Sequence, residues 1–188
     1  AYRPLPYHCL DVAAVGEVYL KRHPRLLDFL AKKTGAPLEL VLEAYELGVR
    51  DFGENTAQGF RERSEAFVER GIVDARLHFI GHLQTNKVKF VVPEAVLIHS
   101  LDRPGLLVAI RKRSEDTPTN VLVQVNLGGE TQKSGISAQE TVGFVQTVVS
   151  EAGVRFCGLM TLPPFGEDAE PYFRRLQELG SSMESFVT

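Results

Sequence analysis

Cysteine, net charge and long apolar runs are all scarce in this 188-residue chain. Its 2 cysteines, Cys9 and Cys157, are too few for a disulfide framework or a thiolate metal cluster, so we expect buried free thiols and a cytoplasmic location. The formal charge of −3 gives no cationic face that would attract nucleic acid. No apolar run approaches the ~20 residues of a membrane span, and no signal-peptide layout opens the sequence. We therefore expect neither nucleic acid nor a membrane as a partner.

The chain shows instead a regular alternation of short apolar runs and stretches with helical periodicity. An apolar fraction of 44% is enough to build a sizeable core. Each apolar run ends in a polar cluster, and the runs cover residues 49–55, 77–84, 96–103, 121–133 and 156–164. This order predicts a parallel sheet whose strand ends, and therefore whose functional site, lie at one rim.

Local signals assign individual elements. Val121, Leu122, Val123 and Val125 form a nearly continuous, mostly β-branched run that is apolar on both faces, which is typical of a central strand. Pro104 indicates the first turn of a helix, and Ser137 with Glu140 forms a capping-box pattern that opens another. A short helix is expected near residues 86–92, a strand over residues 154–160 and a last amphipathic helix over residues 170–186. Because no GxGxxG motif follows an early strand, we favour an incomplete (β/α)8 barrel of five to six βα units over a dinucleotide-binding sheet.

The polar clusters also resemble one known family. They read FGEN, HFIGHLQTNK, HSLDR, NLGGETQKSG and GLMTLPP, at residues 52–55, 78–87, 99–103, 126–135 and 158–164. In this order they resemble the YggS/PROSC family of pyridoxal-phosphate-binding proteins over residues 38–188. The resemblance implies a single-domain (β/α)8 barrel related to the N-terminal domain of alanine racemase, with pyridoxal 5′-phosphate held as a Schiff base on a lysine. It also implies a role in cofactor homeostasis without established catalytic turnover, which leaves enzymatic activity open.

The same resemblance implies cofactor-binding roles for Lys33, Asn55, His78 and Met160, and the position of Lys133 on a long polar loop after the central strand indicates a fifth. Lys33, in LAKKTGAP, matches the Schiff-base lysine; burial at the rim would lower its pKa and favour attack on an aldehyde. Asn55 would contact the cofactor ring or phosphate, and His78 would stack near the pyridine ring. Lys133 would add positive charge from a long loop, and Met160 would form a wall of the pocket.

Each of these residues also has an ordinary structural interpretation. Lys33 could be a solvated lysine on an amphipathic helix, and Lys133 a solvated loop lysine. Asn55 could cap the helix that follows it, while His78 and Met160 could be packed in the core. The three histidines near the strands lack the spacing of a zinc site, and no metal is predicted.

Two further patterns complicate the prediction. After Met160 the sequence has no match to the family's serine-rich loop and R-I-G-like segment, which supply most of the phosphate cradle, so weaker cofactor retention is expected. The missing strands also predict unpaired sheet edges and self-association. Residues 1–35 resemble the opening of a CRISPR-associated HD nuclease domain, in which His8 would be a metal ligand, but the remaining ligands are absent.

We therefore expect a helical segment over residues 1–37 followed by a partial barrel over residues 38–188, in a chain of chimeric origin. The leading functional hypothesis is a protein that binds pyridoxal 5′-phosphate, with retention weakened by the missing cradle. A cofactor-free interaction or scaffold protein built from the same units is the main alternative. A fragment of a metal-dependent HD nuclease is a weaker one.

Overall fold

A computed structural model describes residues 38–92, 94–114, 117–129, 134–164 and 166–187 of the chain. The predictions made for the helical segment 1–37, including His8 and Lys33, lie outside these described residues. The same is true of the prediction for Lys133.

The described chain alternates helices and strands. Its strands are β1 (Asp51–Glu54), β2 (Arg76–Phe79), β3 (Leu97–Leu101), β4 (Thr119–Asn126), β5 (Ile136–Ser137) and β6 (Val154–Met160). Its α-helices are α1 (Leu38–Glu46), α2 (Ala57–Glu69), α3 (Pro104–Arg111), α4 (Ala138–Ser150) and α5 (Glu170–Ser181), and a 3₁₀ helix spans Thr85–Phe90.

All strand pairs in the sheet are parallel. Strands β1, β2, β3 and β4 are adjacent in that order, and β4 also pairs with β5 and β6. The predicted barrel-like parallel sheet is therefore confirmed, as is the central position of β4. Within the described residues the sheet is open, because no pairing joins β6 to β1.

Local sequence signals explain where several elements begin and end. The Ser137 hydroxyl accepts a hydrogen bond from the Glu140 amide at 3.3 Å, which confirms the predicted capping box at α4. Pro104 occupies the first turn of α3, where its missing N–H costs nothing. Gly48 follows α1 with a φ of 98°, a conformation that favours glycine.

Two expected helices differ in detail from the structure, and one short strand was not predicted. The last helix ends at Ser181 rather than at residue 186. The helix expected near residues 86–92 is the 3₁₀ helix Thr85–Phe90, and the two-residue strand β5 was not predicted at all. A strand this short has too few residues to show the alternating pattern by which strands are predicted.

The core lies between the sheet and the helices that cover one of its faces. Phe79 of β2 is fully buried and meets Phe60 of α2 edge to face, with ring centroids 6.2 Å apart. Ile98 of β3, Val121 of β4 and Ile110 of α3 are also fully buried. Among the described residues, no helix is long and apolar enough to cross a membrane.

Candidate functional site

The second face of the sheet is polar. In parallel strands, residues paired in register point to the same side, and alternate residues along a strand share that side. The register pairs Asp51 with Arg76 and His78 with Leu97, so His99 shares the face of His78. This face would point into the barrel interior, which is usually filled with apolar side chains. Its polar character indicates a role other than core packing.

Four residues on this face form a continuous chain of hydrogen bonds. Arg76 Nε donates to Asp51 Oδ1 at 2.7 Å, and His78 Nε2 lies 3.0 Å from the same oxygen. His78 Nδ1 in turn lies 3.1 Å from His99 Nε2, and the two imidazole rings meet edge to face. His78 is thereby fixed on both sides, which sets the orientation of its ring.

The protonation of this chain follows from its charges. Burial would raise the pKa of Asp51, but hydrogen bonds from Arg76 and His78 outweigh it and lower that pKa, so Asp51 is ionised at neutral pH. An ionised carboxylate only accepts hydrogen bonds, which places a hydrogen on His78 Nε2. Burial, reinforced by His78, lowers the pKa of His99 to about 4. His99 is therefore neutral at pH 7, and its Nε2 and the Nδ1 of His78 share one hydrogen bond whose direction depends on the tautomers of the two rings.

The lowered pKa of His99 makes stability depend on pH. The folded pKa is about 4 and the unfolded value is about 6.5, so the unfolded chain binds more protons between these limits. Above pH 6.5 His99 is neutral in both states and does not lower the free energy of unfolding. As the pH falls from 6.5 toward 4, the unfolded chain takes up a proton that the folded chain does not, and the free energy of unfolding decreases. We expect this loss to be about 2 kcal/mol, after allowing for partial exposure of the ring.

Urea unfolding at pH 7.5 and pH 4 measures this effect in the wild-type protein and in His99→Gln. The loss of unfolding free energy between the two pH values should be smaller in the variant by about 2 kcal/mol. Groups common to both proteins cancel in this comparison. An equal loss in both would contradict the assignment.

Loops at the carboxyl ends of β1 and β2 are in direct contact. A Cβ atom added to Gly81 would lie 1.9 Å from the carbonyl oxygen of Asn55 and 2.8 Å from its Cα. The position after β2 therefore requires glycine, because the Asn55 backbone occupies the space of any side chain. The contact fixes the place of Asn55 at the rim of the sheet.

Asn55 is exposed at this rim, and its side chain makes no hydrogen bond to another described residue. The α2 helix is instead capped by Thr56, whose Oγ1 accepts a hydrogen bond from the Gly59 amide at 3.1 Å. The cap of α2 is therefore Thr56, one residue after Asn55, and the interpretation of Asn55 as the helix cap is wrong. Its amide remains available to a ligand.

A histidine links the loops that follow β2, β3 and β4. The Nδ1 atom of His82 lies 3.0 Å from Ser134 Oγ and 3.3 Å from Asp102 Oδ2. Arg103 also pairs with Asp102, and its Nη2 donates to the carbonyl of Leu83 at 2.7 Å. We call His82, Asp102, Arg103 and Ser134 the rim cluster.

The rim cluster contains serine, histidine and aspartate but is not a hydrolytic triad. In a triad, one imidazole nitrogen contacts the serine and the other contacts the carboxylate. Here both Ser134 and Asp102 contact Nδ1 of His82. The cluster therefore has the geometry of a fixed, oriented imidazole rather than of an activated serine.

The end of β6 lies beside the end of β4. Met160 is half-buried and pairs in register with Gln124, whose Nε2 donates to the Ser134 carbonyl at 3.1 Å. The buried Thr161 hydroxyl donates to the Val125 carbonyl at 2.8 Å. Met160 thus lies at the carboxyl end of the sheet, as the pocket wall requires.

The structure brings some of the predicted residues to the same rim and adds others. Asn55 and Met160 lie at strand ends, and His78 lies lower on the interior face of β2. Sequence reasoning missed the residues that contact these histidines or the carboxylates beside them: Asp51, Arg76, His99, Asp102, Arg103 and Ser134. The polar strings HSLDR and QKSG contain four of them, but no spacing rule pairs residues from separate loops.

The described residues include one free cysteine and no candidate metal cluster. Cys157 is half-buried rather than fully buried, and this burial raises the pKa of its thiol. In the part of the chain that the structure describes, no group of three or more histidine, cysteine, aspartate or glutamate side chains could hold a metal ion.

Comparison with known sequences identifies relatives of this chain. The model of the alanine racemase N-terminal domain family matches residues 31–186. The pyridoxal phosphate homeostasis protein of Aquifex aeolicus is 40% identical over 159 residues, which is 82% of this chain and 68% of that protein. The Escherichia coli K12 protein of the same name is 35% identical over 144 residues, or 76% and 62% of the two chains. The nuclease-like resemblance of residues 1–35 stays a prediction.

Solved structures share the fold. PipY from Synechococcus elongatus with bound pyridoxal phosphate has a TM-score of 0.72 at 23% identity, covering 81% of this chain and 72% of that one. Alanine racemase from Corynebacterium glutamicum has a TM-score of 0.58 at 15% identity, covering 78% and 40%. The chain therefore belongs to the alanine racemase N-terminal domain family, within its group of YggS/PROSC pyridoxal phosphate homeostasis proteins.

Proposed function

We propose that this chain binds pyridoxal 5′-phosphate at the carboxyl rim of its sheet and serves in holding and delivering the cofactor. The observation that carries the proposal is the convergence of four consecutive loops at this rim. Gly81 packs on the Asn55 backbone, and His82 joins Asp102 to Ser134. Barrels of this class bind their ligands at the same rim. Relatives of the chain carry the name pyridoxal phosphate homeostasis protein.

The residues at the rim and on the interior face fit the chemistry of this cofactor. Asn55 offers an exposed amide that no described residue engages, and His78 offers an imidazole whose ring is held by His99 and Asp51. The Asn55 amide suits the polar edge of a pyridine ring, and the His78 ring, whose two nitrogens are engaged, can stack near it. Met160 supplies a polarizable side chain that suits the ring face.

The remaining assignments rest on the family resemblance. When bound, the cofactor supplies an aldehyde that reacts with an amine, and Lys33 is the amine we assign to it. Lys133 would place a positive charge near the phosphate. A cytoplasmic location belongs to the same proposal. So does self-association through the outer strands β1 and β6, because in the described sheet each of these strands pairs with one neighbour.

Borohydride trapping tests the proposal. Purified protein is incubated with pyridoxal 5′-phosphate and reduced, and the labelled peptides are mapped by mass spectrometry. We expect about one equivalent of label on Lys33, because a single oriented amine outcompetes solvated lysines. Lys33→Ala should abolish the label, and the neighbouring Lys32→Ala is the matched control that should keep it.

Binding of the cofactor is measured in parallel by absorbance. Asn55→Ala should weaken it roughly tenfold if the amide makes one hydrogen bond to the cofactor. Label spread evenly over several lysines, or no stoichiometric label, would contradict the proposal and favour the cofactor-free scaffold.

A further inference from the structure

We propose that the rim cluster is an oxyanion-binding site, in which His82 and Ser134 contact a phosphate or carboxylate group of a small molecule. Asp102 is the positioning residue of this site. The inference rests on the proposed function for the place of the ligand at the rim, and the family resemblance assigned none of these residues to the cofactor.

The hydrogen bonds of His82 determine which atoms are free to bind. Asp102 has a side-chain exposure of 6%, whereas that of His82 is 51%, so a buried carboxylate holds a half-exposed imidazole. An ionised carboxylate only accepts hydrogen bonds, so His82 can bond to Asp102 only in a form that carries a hydrogen on Nδ1. No described residue contacts Nε2, which leaves that nitrogen open to a ligand.

Ser134 provides a second donor at the same place. When Nδ1 of His82 carries the hydrogen, Ser134 Oγ at 3.0 Å can accept it, and the O–H of Ser134 can then point elsewhere. The half-exposed hydroxyl makes no other side-chain hydrogen bond within the described part of the chain. When His82 also carries a hydrogen on Nε2, His82 and Ser134, on the loops after β2 and β4, are two donors that can converge on one acceptor.

The charge of the cluster favours an anion over a cation. Arg103 pairs with one oxygen of Asp102, and His82 lies beside the other, so the buried carboxylate is neutralised within the cluster. A proton on His82 Nε2 gives an imidazolium that Asp102 balances, and its N–H then donates to an oxyanion. A metal ion would need further ligands, and the described residues hold no group of three around His82.

Nuclear magnetic resonance of the His82 ring tests the inference without the cofactor. Inorganic phosphate and acetate are titrated separately at constant ionic strength, with chloride as the control, and His82→Gln identifies the resonance. We expect a saturable shift with phosphate, with acetate or with both. The absence of a saturable shift with either anion would overturn the proposal.

Binding measurements distinguish the two sources of the oxyanion. If the group is the cofactor's phosphate, His82→Leu should weaken pyridoxal 5′-phosphate roughly tenfold and leave pyridoxal within about twofold. If it is the carboxylate of another ligand, both cofactor affinities stay unchanged and the acetate-induced shift of the Ser134 backbone amide resonance is lost. Unchanged responses to every probe in His82→Leu would overturn the inference.

Variants of the positioning groups complete the test. Ser134→Ala should weaken the saturating anion several-fold, while Ser150→Ala, an exposed serine on α4, is the matched control that should not. Asp102→Asn should do the same when it is measured well below its melting temperature, which falls because Arg103 loses its buried partner. Ser134→Ala decides the question if that variant does not fold. If the wild-type protein fails to take up pyridoxal 5′-phosphate but the His82 resonance still shifts, the proposed function fails and the oxyanion site stands.

Discussion

Gly81→Ala is expected to lower the free energy of unfolding by about 3 kcal/mol, the upper part of the range for overpacking. The added Cβ would lie 1.9 Å from the carbonyl oxygen of Asn55, which is closer than any real contact. That oxygen belongs to the backbone, so it cannot rotate away as the end of a flexible side chain would. Relief requires that the loops after β1 and β2 separate.

Urea unfolding monitored by circular dichroism measures this effect, and Gly105→Ala is the matched control. Nothing lies within 4 Å of a Cβ built on Gly105, which is in α3. Helix propensity therefore predicts that Gly105→Ala stabilises the protein by roughly 0.5–1 kcal/mol. Wild-type stability in Gly81→Ala would show that the two loops are not in contact. The separated loops should also weaken cofactor binding.

Phe79→Ala should lower the free energy of unfolding by about 3–5 kcal/mol. Phe79 is fully buried between β2 and α2, and its ring meets Phe60 edge to face at 6.2 Å. Truncation removes the transfer free energy of the ring and leaves a cavity that the sheet can fill only by moving as a whole. It also removes the aromatic pair, which contributes beyond its buried area.

Val73→Ala is the control for this second prediction. Val73 is 93% exposed, so its truncation should change stability by less than about 0.5 kcal/mol. Both variants are compared by chemical denaturation at pH 7.5, where His99 is neutral in the folded and unfolded chains. A loss in Phe79→Ala no larger than in Val73→Ala would contradict the packing of α2 on β2.

Much of the fold could be predicted because it depends on local patterns. The apolar run 121–125 predicted a central strand, and the pair Ser137 and Glu140 predicted the start of α4, both of which the structure confirms. The predicted and observed bounds of the strand Val154–Met160 agree. Periodicity and capping act over a few residues, so the sequence displays them directly.

The candidate site could be predicted only in outline. Clusters such as FGEN and HSLDR indicated the rim, because polar residues that end parallel strands meet at one edge. The partner of each histidine could not be inferred, since His78 and His99 are 21 residues apart and His82 and Ser134 are 52 apart. A pairing over such distances depends on strand order and register, and a shift of one residue in register would turn each side chain to the other face.

The alternation of strands and helices along the chain, the start of α4 and the family itself were determined by the sequence alone. Only the tertiary structure decided that Asn55 lies against Gly81, that His99 is held neutral beside His78 and that Asp102 orients His82. The physical reason is one of range. Helix capping and periodicity arise between neighbours in the chain, whereas a hydrogen bond between two loops or the desolvation of an imidazole depends on what the fold places around it.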